Sequence, residues 1–350
     1  MLTELKINNF KGIGSCSIKD LGRVNLFIGK NDSGKSTVLE AAYYLFQELI
    51  RPPHLRATMS KRSDVPAGIS ELWFNYETSS PVDISTDFDG VRINWRIILR
   101  HALPENTVSS SLFAGRTQVI LVGENQYRER DFVPLAVTTG NANIANIKES
   151  GEFRDKLTQY SSNMFFIDCT LKSHIREIES ILARFKRVPK LESGFGEILD
   201  DVYGKGRNWE FIPQLEYPEE KRLAIKEAGR QKYFAGFGDG LRCCVGILGT
   251  AMSVKSTAIF IEEIESHQHS GSLSKIIKHL VRISRENHLQ IFLSTHSKDV
   301  WESLYRGVYL DDEKREKEEF RCFLLERNAD DGKVTAECTN DLQKITQSLQ

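Results

Sequence analysis

The stretch that decides the fold is "VNLFIGKNDSGKSTVLEAAYYLF", residues 24–46. Its apolar start, Val24–Ile28, predicts a buried strand, and the helical spacing of the apolar residues after Lys35 predicts a helix. Between the two, "GKNDSGKST" at residues 29–37 matches the phosphate-binding pattern GxxxxGK[ST] at every fixed position. A strand, a glycine-rich turn and a helix in this order predict a nucleotide-binding α/β fold.

The chemistry of this loop predicts ATP and Mg²⁺ as its ligands. Glycines let backbone N–H groups face a polyphosphate, and the helix N-terminus adds a favourable dipole. We expect Lys35 to reach the terminal phosphates and the Ser36 hydroxyl to hold Mg²⁺. The predicted nucleotide-binding residues of the loop are Gly29, Lys30, Asn31, Asp32, Ser33, Gly34, Lys35, Ser36 and Thr37.

A second apolar run, Ala258–Ile261, ends in two acids, Glu262 and Glu263. Ligands collect at the carboxyl ends of strands in sheets of this kind, and a phosphate loop needs a nearby acid to orient its metal. We therefore predict that Glu262 holds Mg²⁺ and that Glu263 polarises the attacking water. The alternative is a strand that ends in ordinary solvated glutamates.

The stretch "LSTHS", residues 293–297, repeats this pattern with a histidine at the strand tip. His296 is predicted to contact the γ-phosphate or the attacking water, and the alternative is an exposed or capping histidine. The catalytic prediction therefore consists of Lys35, Glu263 and His296.

Three other functions compete with nucleotide hydrolysis. Glu265, His267 and His269 follow the acidic strand and suggest a zinc enzyme, but the HExxH pattern is missing and the phosphate loop would stay unexplained. The nucleotide-binding subunit of a membrane transporter would carry a string close to LSGGQ, and none occurs. A small-molecule kinase would not explain the two polar strand tips in this order.

Composition and charge exclude some classes of protein. Lysine plus arginine (47) balances aspartate plus glutamate (48), so any contact with nucleic acid needs a local patch. One basic run offers such a patch, although runs of this kind are usually solvated surface: it contains Arg51, Arg56, Lys61 and Arg62. Six cysteines without a CxxC pair indicate reduced thiols in the cytoplasm. No segment approaches the ~18 uncharged apolar residues of a membrane span, so no membrane partner is expected.

The order of predicted elements suggests three parts. Residues 1–147 form an N-terminal lobe with the phosphate loop and an antiparallel β subdomain, in which residues 70–76 and 91–100 are predicted strands. Residues 148–232 form a helical insertion, and residues 233–350 form a C-terminal lobe that ends in a hairpin across "NADDGK".

The motifs, in this order and with a long insertion between the first two, resemble an ABC-type ATPase of the chromosome-maintenance and recombination-repair group, which includes SMC and RecF proteins. The nearest likeness is the ATPase domain of the OLD (overcoming lysogenization defect) family and its relatives in antiphage systems, whose acidic segment typically has the pattern DEPExHLHP. Residues 262–270, "EEIESHQHS", match at Glu263, Glu265, His267 and His269, while Glu262 stands for the usual aspartate. The resemblance implies the ABC-type ATPase head fold and assigns the histidines to the segment after the acidic strand.

The same resemblance implies a signature loop that contacts the nucleotide of a second subunit. The matching stretch is "GFGDGLR", residues 236–242, with Gly238, Asp239 and Gly240 as the contacting residues, and the alternative is a glycine-rich helix start. The family's Mg²⁺-sensing glutamine has candidates in Gln47, Gln118 and Gln126. The implied assembly is a homodimer or higher oligomer of ATPase heads.

Only about fifty residues follow His296, too few for the C-terminal TOPRIM nuclease domain of OLD nucleases. The expected function is therefore an ATP-hydrolysing switch that controls a separate effector, a nuclease or toxin, in antiphage defence. A DNA repair or recombination ATPase is the alternative, and DNA remains a candidate partner.

Overall fold

The structure is a computed structural model that describes residues 1–50, 72–77, 79–99, 117–122, 132–133, 151–168, 175–205, 208–214, 217, 219–227, 229–309 and 320–349. The chain forms two compact units, one from Met1–Met164 with Arg321–Gln350 and the other from Phe165–Phe320. The division into parts at residues 147 and 232 stays a prediction.

The described strands, in chain order, are β1 (Leu2–Phe10), β2 (Ile13–Lys19), β3 (Val24–Ile28), β4 (Val82–Phe88), β5 (Val91–Leu99), β6 (Thr117–Val122), β7 (Phe132–Val133), β8 (Phe165–Ile167), β9 (Asn208–Pro213), β10 (Lys221–Glu227), β11 (Arg230–Tyr233), β12 (Ala258–Ile261), β13 (Gln290–Thr295), β14 (Phe320–Arg327) and β15 (Lys333–Cys338). The described helices are α1 (Lys35–Ile50), α2 (Gly151–Ser162), α3 (Ile175–Phe185), α4 (Pro189–Tyr203), α5 (Asp239–Ser253), α6 (Ser270–Glu286), α7 (Lys298–Tyr309) and α8 (Leu342–Leu349).

In the first unit, the strands follow the order β7-β6-β5-β4-β1-β2-β15-β14-β3. Strand β1 pairs antiparallel with both β2 and β4, and β4 pairs antiparallel with β5, whereas β6 joins β5 in parallel. Buried and half-buried residues alternate along β4, so one face of this strand is buried, as expected for a strand with one apolar side. An aromatic cluster forms where α1, β4 and α2 meet: the Phe88 and Tyr160 ring centroids lie 4.9 Å apart, and those of Phe46 and Tyr160 lie 5.3 Å apart.

The second unit contains a parallel group in the order β13-β12-β8 and an antiparallel sheet in the order β11-β10-β9. Strand β12 is buried throughout, and the Phe260 ring stacks on Phe292 at 4.8 Å and on Phe166 at 6.2 Å. Because β12 and β13 run in parallel, their carboxyl ends lie at the same edge of this group.

Two local expectations differ from the structure. The predicted strand at residues 70–76 is wrong where the chain is described: Trp73 forms a single bridge with Phe10, and Phe74–Tyr76 is a 3₁₀ turn. The apolar pattern there reflects burial of the Trp73 ring, whose Nε1 donates to Ser80 O at 2.8 Å. Strands β9 and β10 and most of β11 lie within residues 148–232, the predicted helical insertion, and they form the three-stranded sheet. Helix α4 packs against this sheet, where the ring centroids of Phe195 and Trp209 lie 5.6 Å apart.

The terminal hairpin is confirmed: β14 and β15 pair antiparallel across residues 328–332. None of the described helices has both the length and the apolar character needed to cross a membrane. The cysteines that the structure describes are free thiols, and burial raises the pKa of Cys16 and Cys244 to about 12.

Candidate nucleotide site

The phosphate loop of the first unit connects the fully buried β3 to α1. Its curl depends on backbone angles that favour glycine: φ is 92° at Gly34 and 63° at Asp32. A Cβ atom on Gly29 would lie 2.5 Å from Leu325 O, so this glycine lets β14 pass directly beneath the loop. The loop shape therefore rests on both the local glycines and the terminal hairpin.

Lys35 lies inside this curl. Its side chain is buried, with 8% of the residue exposed, and Nζ donates to Gly29 O at 2.8 Å and to Lys30 O at 2.5 Å. Helix α1 begins at Lys35, directly after the curl, and the first N–H groups of a helix in general have no carbonyl partner within it. An ammonium group held by loop carbonyls beside a helix start is the kind of donor set that a polyphosphate requires, so the loop fits the phosphates of a nucleotide. Lys30, Asn31 and Asp32 are exposed at the rim.

Sequence reasoning missed Arg327, the last residue of β14. Its Nη1 lies 2.6 Å from Asp32 Oδ2, and its side chain is 17% exposed against 86% for Asp32. The guanidinium thus holds the outer edge of the phosphate loop from a strand that lies 295 residues further along the chain. No local pattern marks this residue, because the contact depends on β14 lying beside β3 in the sheet.

The acidic strand of the second unit ends as predicted at one edge of its parallel group. Glu262 is 6% exposed, and its N–H donates to Ile167 O at 2.9 Å. Glu263 has a φ of 43°, and its N–H donates to Ser294 Oγ at 3.1 Å. The parallel register of β12 with β13 therefore places Glu262 and Glu263 beside the tip that carries His296.

His296 is half-exposed, and Glu265 lies behind it. The Glu265 Oε1 atom accepts from Thr295 Oγ1 at 2.7 Å and from His296 N at 3.1 Å, and it lies 3.3 Å from His296 Nδ1. This contact between the turn after β12 and the tip of β13 was not anticipated from the sequence, where Glu265 stood out only as a motif match.

The signature-like loop precedes α5, and Gly238 is the N-cap residue of that helix. Asp239 pairs with Arg242 in the first turn. The Gly240 carbonyl accepts from Tyr203 Oη at 2.9 Å and from Gln268 Nε2 at 2.8 Å. The start of α5 is therefore bonded to the segment after the acidic strand, within the same unit.

The three side chains that would form the alternative zinc site each contact a different group. Glu265 bonds the tip of β13, His269 Nδ1 accepts from Gly271 N at 3.3 Å as the cap of α6, and His267 Nδ1 lies 3.8 Å from Asp239 Oδ2. Within the described ranges, no group of three or more His, Cys, Asp and Glu side chains is arranged to hold a metal ion.

Some sequence predictions stay open. The phosphate loop belongs to the first unit, whereas Glu262, Glu263, His296 and residues 238–240 belong to the second. The candidate glutamines Gln47 and Gln118 lie in α1 and β6. Gln126 and the basic run at residues 51–63 lie outside the described residues.

The fold and the phosphate loop together define the class of this protein, an α/β ATPase head of the ABC-type P-loop group. A family model described as "AAA domain, putative AbiEii toxin, Type IV TA system" matches residues 24–300, more than half of the chain. The chain belongs to this family.

Relatives and solved structures agree with that class. The chain is similar to a Helicobacter pylori protein named "ATP/GTP phosphatase", with 22% identity over 331 residues that cover 87% of each chain. It is also similar to the DNA replication and repair protein RecF of Shewanella sp. (strain MR-4), with 21% identity over 229 residues, 61% of this chain and 59% of RecF. The fold is similar to that of an Smc head domain solved in complex with the C-winged helix domain of ScpA, with a TM-score of 0.50, 14% identity and 99% coverage of both chains. The protein is thus an ATPase of the AAA-domain family, similar in sequence to RecF and in fold to an Smc head.

Proposed function

We propose that this chain binds and hydrolyses ATP as a cytoplasmic switch, that two or more copies assemble around the nucleotide, and that the switch controls a separate nuclease or toxin in antiphage defence. The observation that carries the nucleotide part is the Lys35 ammonium held in the curl of the phosphate loop, 2.8 Å from Gly29 O. The family description, which names a toxin and a toxin–antitoxin system, supports the defence role.

In the proposed reaction, water attacks the γ-phosphorus of ATP, the bond to the β,γ-bridging oxygen breaks, and ADP and phosphate are released. Lys35 and the loop N–H groups bind the phosphates, and Glu263 orients and polarises the water. His296 contacts the γ-phosphate or the same water. Mg²⁺, held by Ser36 and Glu262, would neutralise charge on the phosphate oxygens.

The hydrolysis proposal is tested with two substitutions. Lys35→Ala removes the ammonium group and should weaken ATP binding by about tenfold or more. Glu263→Gln should keep ATP binding and lower kcat by about 100-fold or more, because an amide cannot take up a proton from water. Binding is measured by calorimetry and turnover by phosphate release.

Two surface substitutions serve as matched controls, Lys255→Ala and Glu286→Gln, since both side chains are exposed. They should change neither binding nor kcat by more than about twofold, as is usual for surface positions. Parental turnover in Glu263→Gln would mean that another group activates the water.

DNA repair or recombination is the second candidate function, and the similarity to RecF is the observation that favours it. The two functions can be distinguished in cells that carry the gene together with its natural neighbouring genes. Phage resistance that disappears with Glu263→Gln supports defence. Sensitivity to DNA damage in the same variant, without any change in phage resistance, supports repair.

A further inference from the structure

Glu265, in the turn after β12, and His296, directly after β13, form a pair in which the glutamate is more buried than the histidine. The Glu265 side chain is 13% exposed, whereas the His296 side chain is 50% exposed. One carboxylate oxygen, Oε1, is shared by the Thr295 hydroxyl at 2.7 Å and the His296 N–H at 3.1 Å. The histidine backbone is therefore held by the same carboxylate that lies beside its ring.

The position of the ring adds a second contact. His296 Nδ1 lies 3.3 Å from Glu265 Oε1, so the carboxylate is close to this ring nitrogen. A neutral imidazole carries its proton on one nitrogen, and an acceptor beside that nitrogen selects the tautomer. With Nδ1 turned to Glu265, the opposite ring atom, Nε2, is the one left for a ligand.

The second oxygen of Glu265 has unused acceptor capacity. Oε2 is buried and has no hydrogen-bond partner among the described residues. A carboxylate oxygen buried in this way is costly unless it serves a further donor. The carboxylate therefore keeps an acceptor site beyond its contacts with Thr295 and His296.

We propose that Glu265 is a positioning residue for His296: it holds the ring with Nδ1–H toward its carboxylate and presents Nε2 to the γ-phosphate or the attacking water. This inference rests on the ATP hydrolysis proposed for the same site. Glu265 itself touches neither the nucleotide nor the water.

A double-mutant cycle tests the inference through turnover. Glu265→Ala and His296→Ala should each lower kcat about tenfold with little change in KM, because a group that acts in the transition state is lost or misplaced. The double variant should be no slower than His296→Ala alone, since Glu265 acts only through the histidine. Glu286→Ala, an exposed glutamate of the same unit, is the control and should behave like the parent.

A spectroscopic test does not depend on hydrolysis. The ring nitrogens of His296, identified by their loss in His296→Ala, are followed by NMR in ¹⁵N-labelled protein. The parent should show Nδ1 protonated, and Glu265→Ala should show a mixture of tautomers.

The outcomes separate the inference from the proposed function. If the parent hydrolyses ATP, the losses of kcat multiply in the double variant and the His296 tautomer is unchanged in Glu265→Ala, then only the inference is overturned. A parent without ATPase activity overturns the proposed function, and the NMR comparison then decides whether Glu265 orients the ring.

Discussion

At the scale of single residues, one ion pair within the second unit involves Glu179. This carboxylate of α3 accepts from Arg222 Nε at 2.8 and 3.1 Å and from Leu223 N at 3.2 Å. The Glu179 side chain is 10% exposed and that of Arg222 is 23% exposed, so the pair is mostly shielded from water. A buried pair contributes little by its formation, but removing one partner leaves a buried charge uncompensated.

We therefore expect Glu179→Ala to lower the free energy of unfolding by about 3 kcal/mol, since it leaves the Arg222 guanidinium without its carboxylate partner. The matched control is Glu192→Ala, whose partner Lys186 is 32% exposed and whose loss should cost less than about 1 kcal/mol. Urea denaturation followed by tryptophan fluorescence measures both. Equal, small effects would show that water screens the Glu179 pair.

At the scale of elements, the terminal hairpin supports the phosphate loop. The β14–β15 turn ends at Gly332, where φ is 65° and a Cβ atom would lie 2.3 Å from a Phe74 ring carbon and 2.8 Å from Gly14 N. Gly14 N also donates to Gly332 O at 2.8 Å. The turn is thus packed against the chain on both sides.

A second glycine offers a matched comparison for this turn. Gly90, between β4 and β5, has a φ of 80° but nothing within 4 Å of its added Cβ. Gly90→Ala should cost about 1 kcal/mol from backbone strain alone. Gly332→Ala should cost about 3 kcal/mol, because overpacking is added to that strain.

Thermal denaturation and ATP binding measure the two consequences. Gly332→Ala should lower Tm by a clearly larger amount than Gly90→Ala and should also weaken ATP binding, since β14 and β15 underlie the loop at Gly29 and Gly34. Identical Tm shifts for the two variants would mean that the Phe74 ring moves aside at little cost.

At the scale of the whole molecule, the proposed assembly joins two heads through ATP. The γ-phosphate bound by one subunit would meet the backbone amides at Gly238 of the other subunit, so closure should favour ATP over ADP. The Glu263→Gln variant should trap the closed form, because it retains ATP. A distance measurement between labels on two subunits, with ATP and then with ADP, detects this closure.

The structure also selects the variant that blocks closure. A Cβ on Gly240 would lie 2.6 Å from His267 O, so substitution there disturbs the subunit itself, whereas Gly238 has open space around it. Gly238→Glu should therefore prevent closure and lower hydrolysis by about tenfold or more through charge repulsion, while ATP binding to each subunit is retained. Gly196→Glu in α4, also with open space, is the control. Unimpaired hydrolysis by Gly238→Glu, together with no nucleotide-dependent distance change, would favour a monomeric enzyme.

The sequence by itself determined those features whose signals are local. The phosphate loop, the acidic end of β12, the tip of β13 and the terminal hairpin each lie within a short contiguous stretch, where apolar periodicity and glycine placement act directly on the backbone. The histidines after the acidic strand were also assigned locally, by their place in a motif. The roles of Lys35, Glu263 and His296 follow from the same local chemistry and remain to be tested.

Only the tertiary structure decided the contacts that support these motifs. Arg327 contacts Asp32 because of the order of the strands in the sheet. Tyr203 and Gln268 both donate to the Gly240 carbonyl, because α4 and the segment after β12 converge there. Glu265 contacts Thr295 because β12 and β13 pair in parallel register. The strands β9 and β11 likewise show little alternation of burial, and the Trp209 ring of β9 packs on Phe195 of α4. Such contacts join residues that are far apart along the chain. The free energy that selects them comes from packing and strand register in the folded molecule, and no local sequence pattern reports either of these.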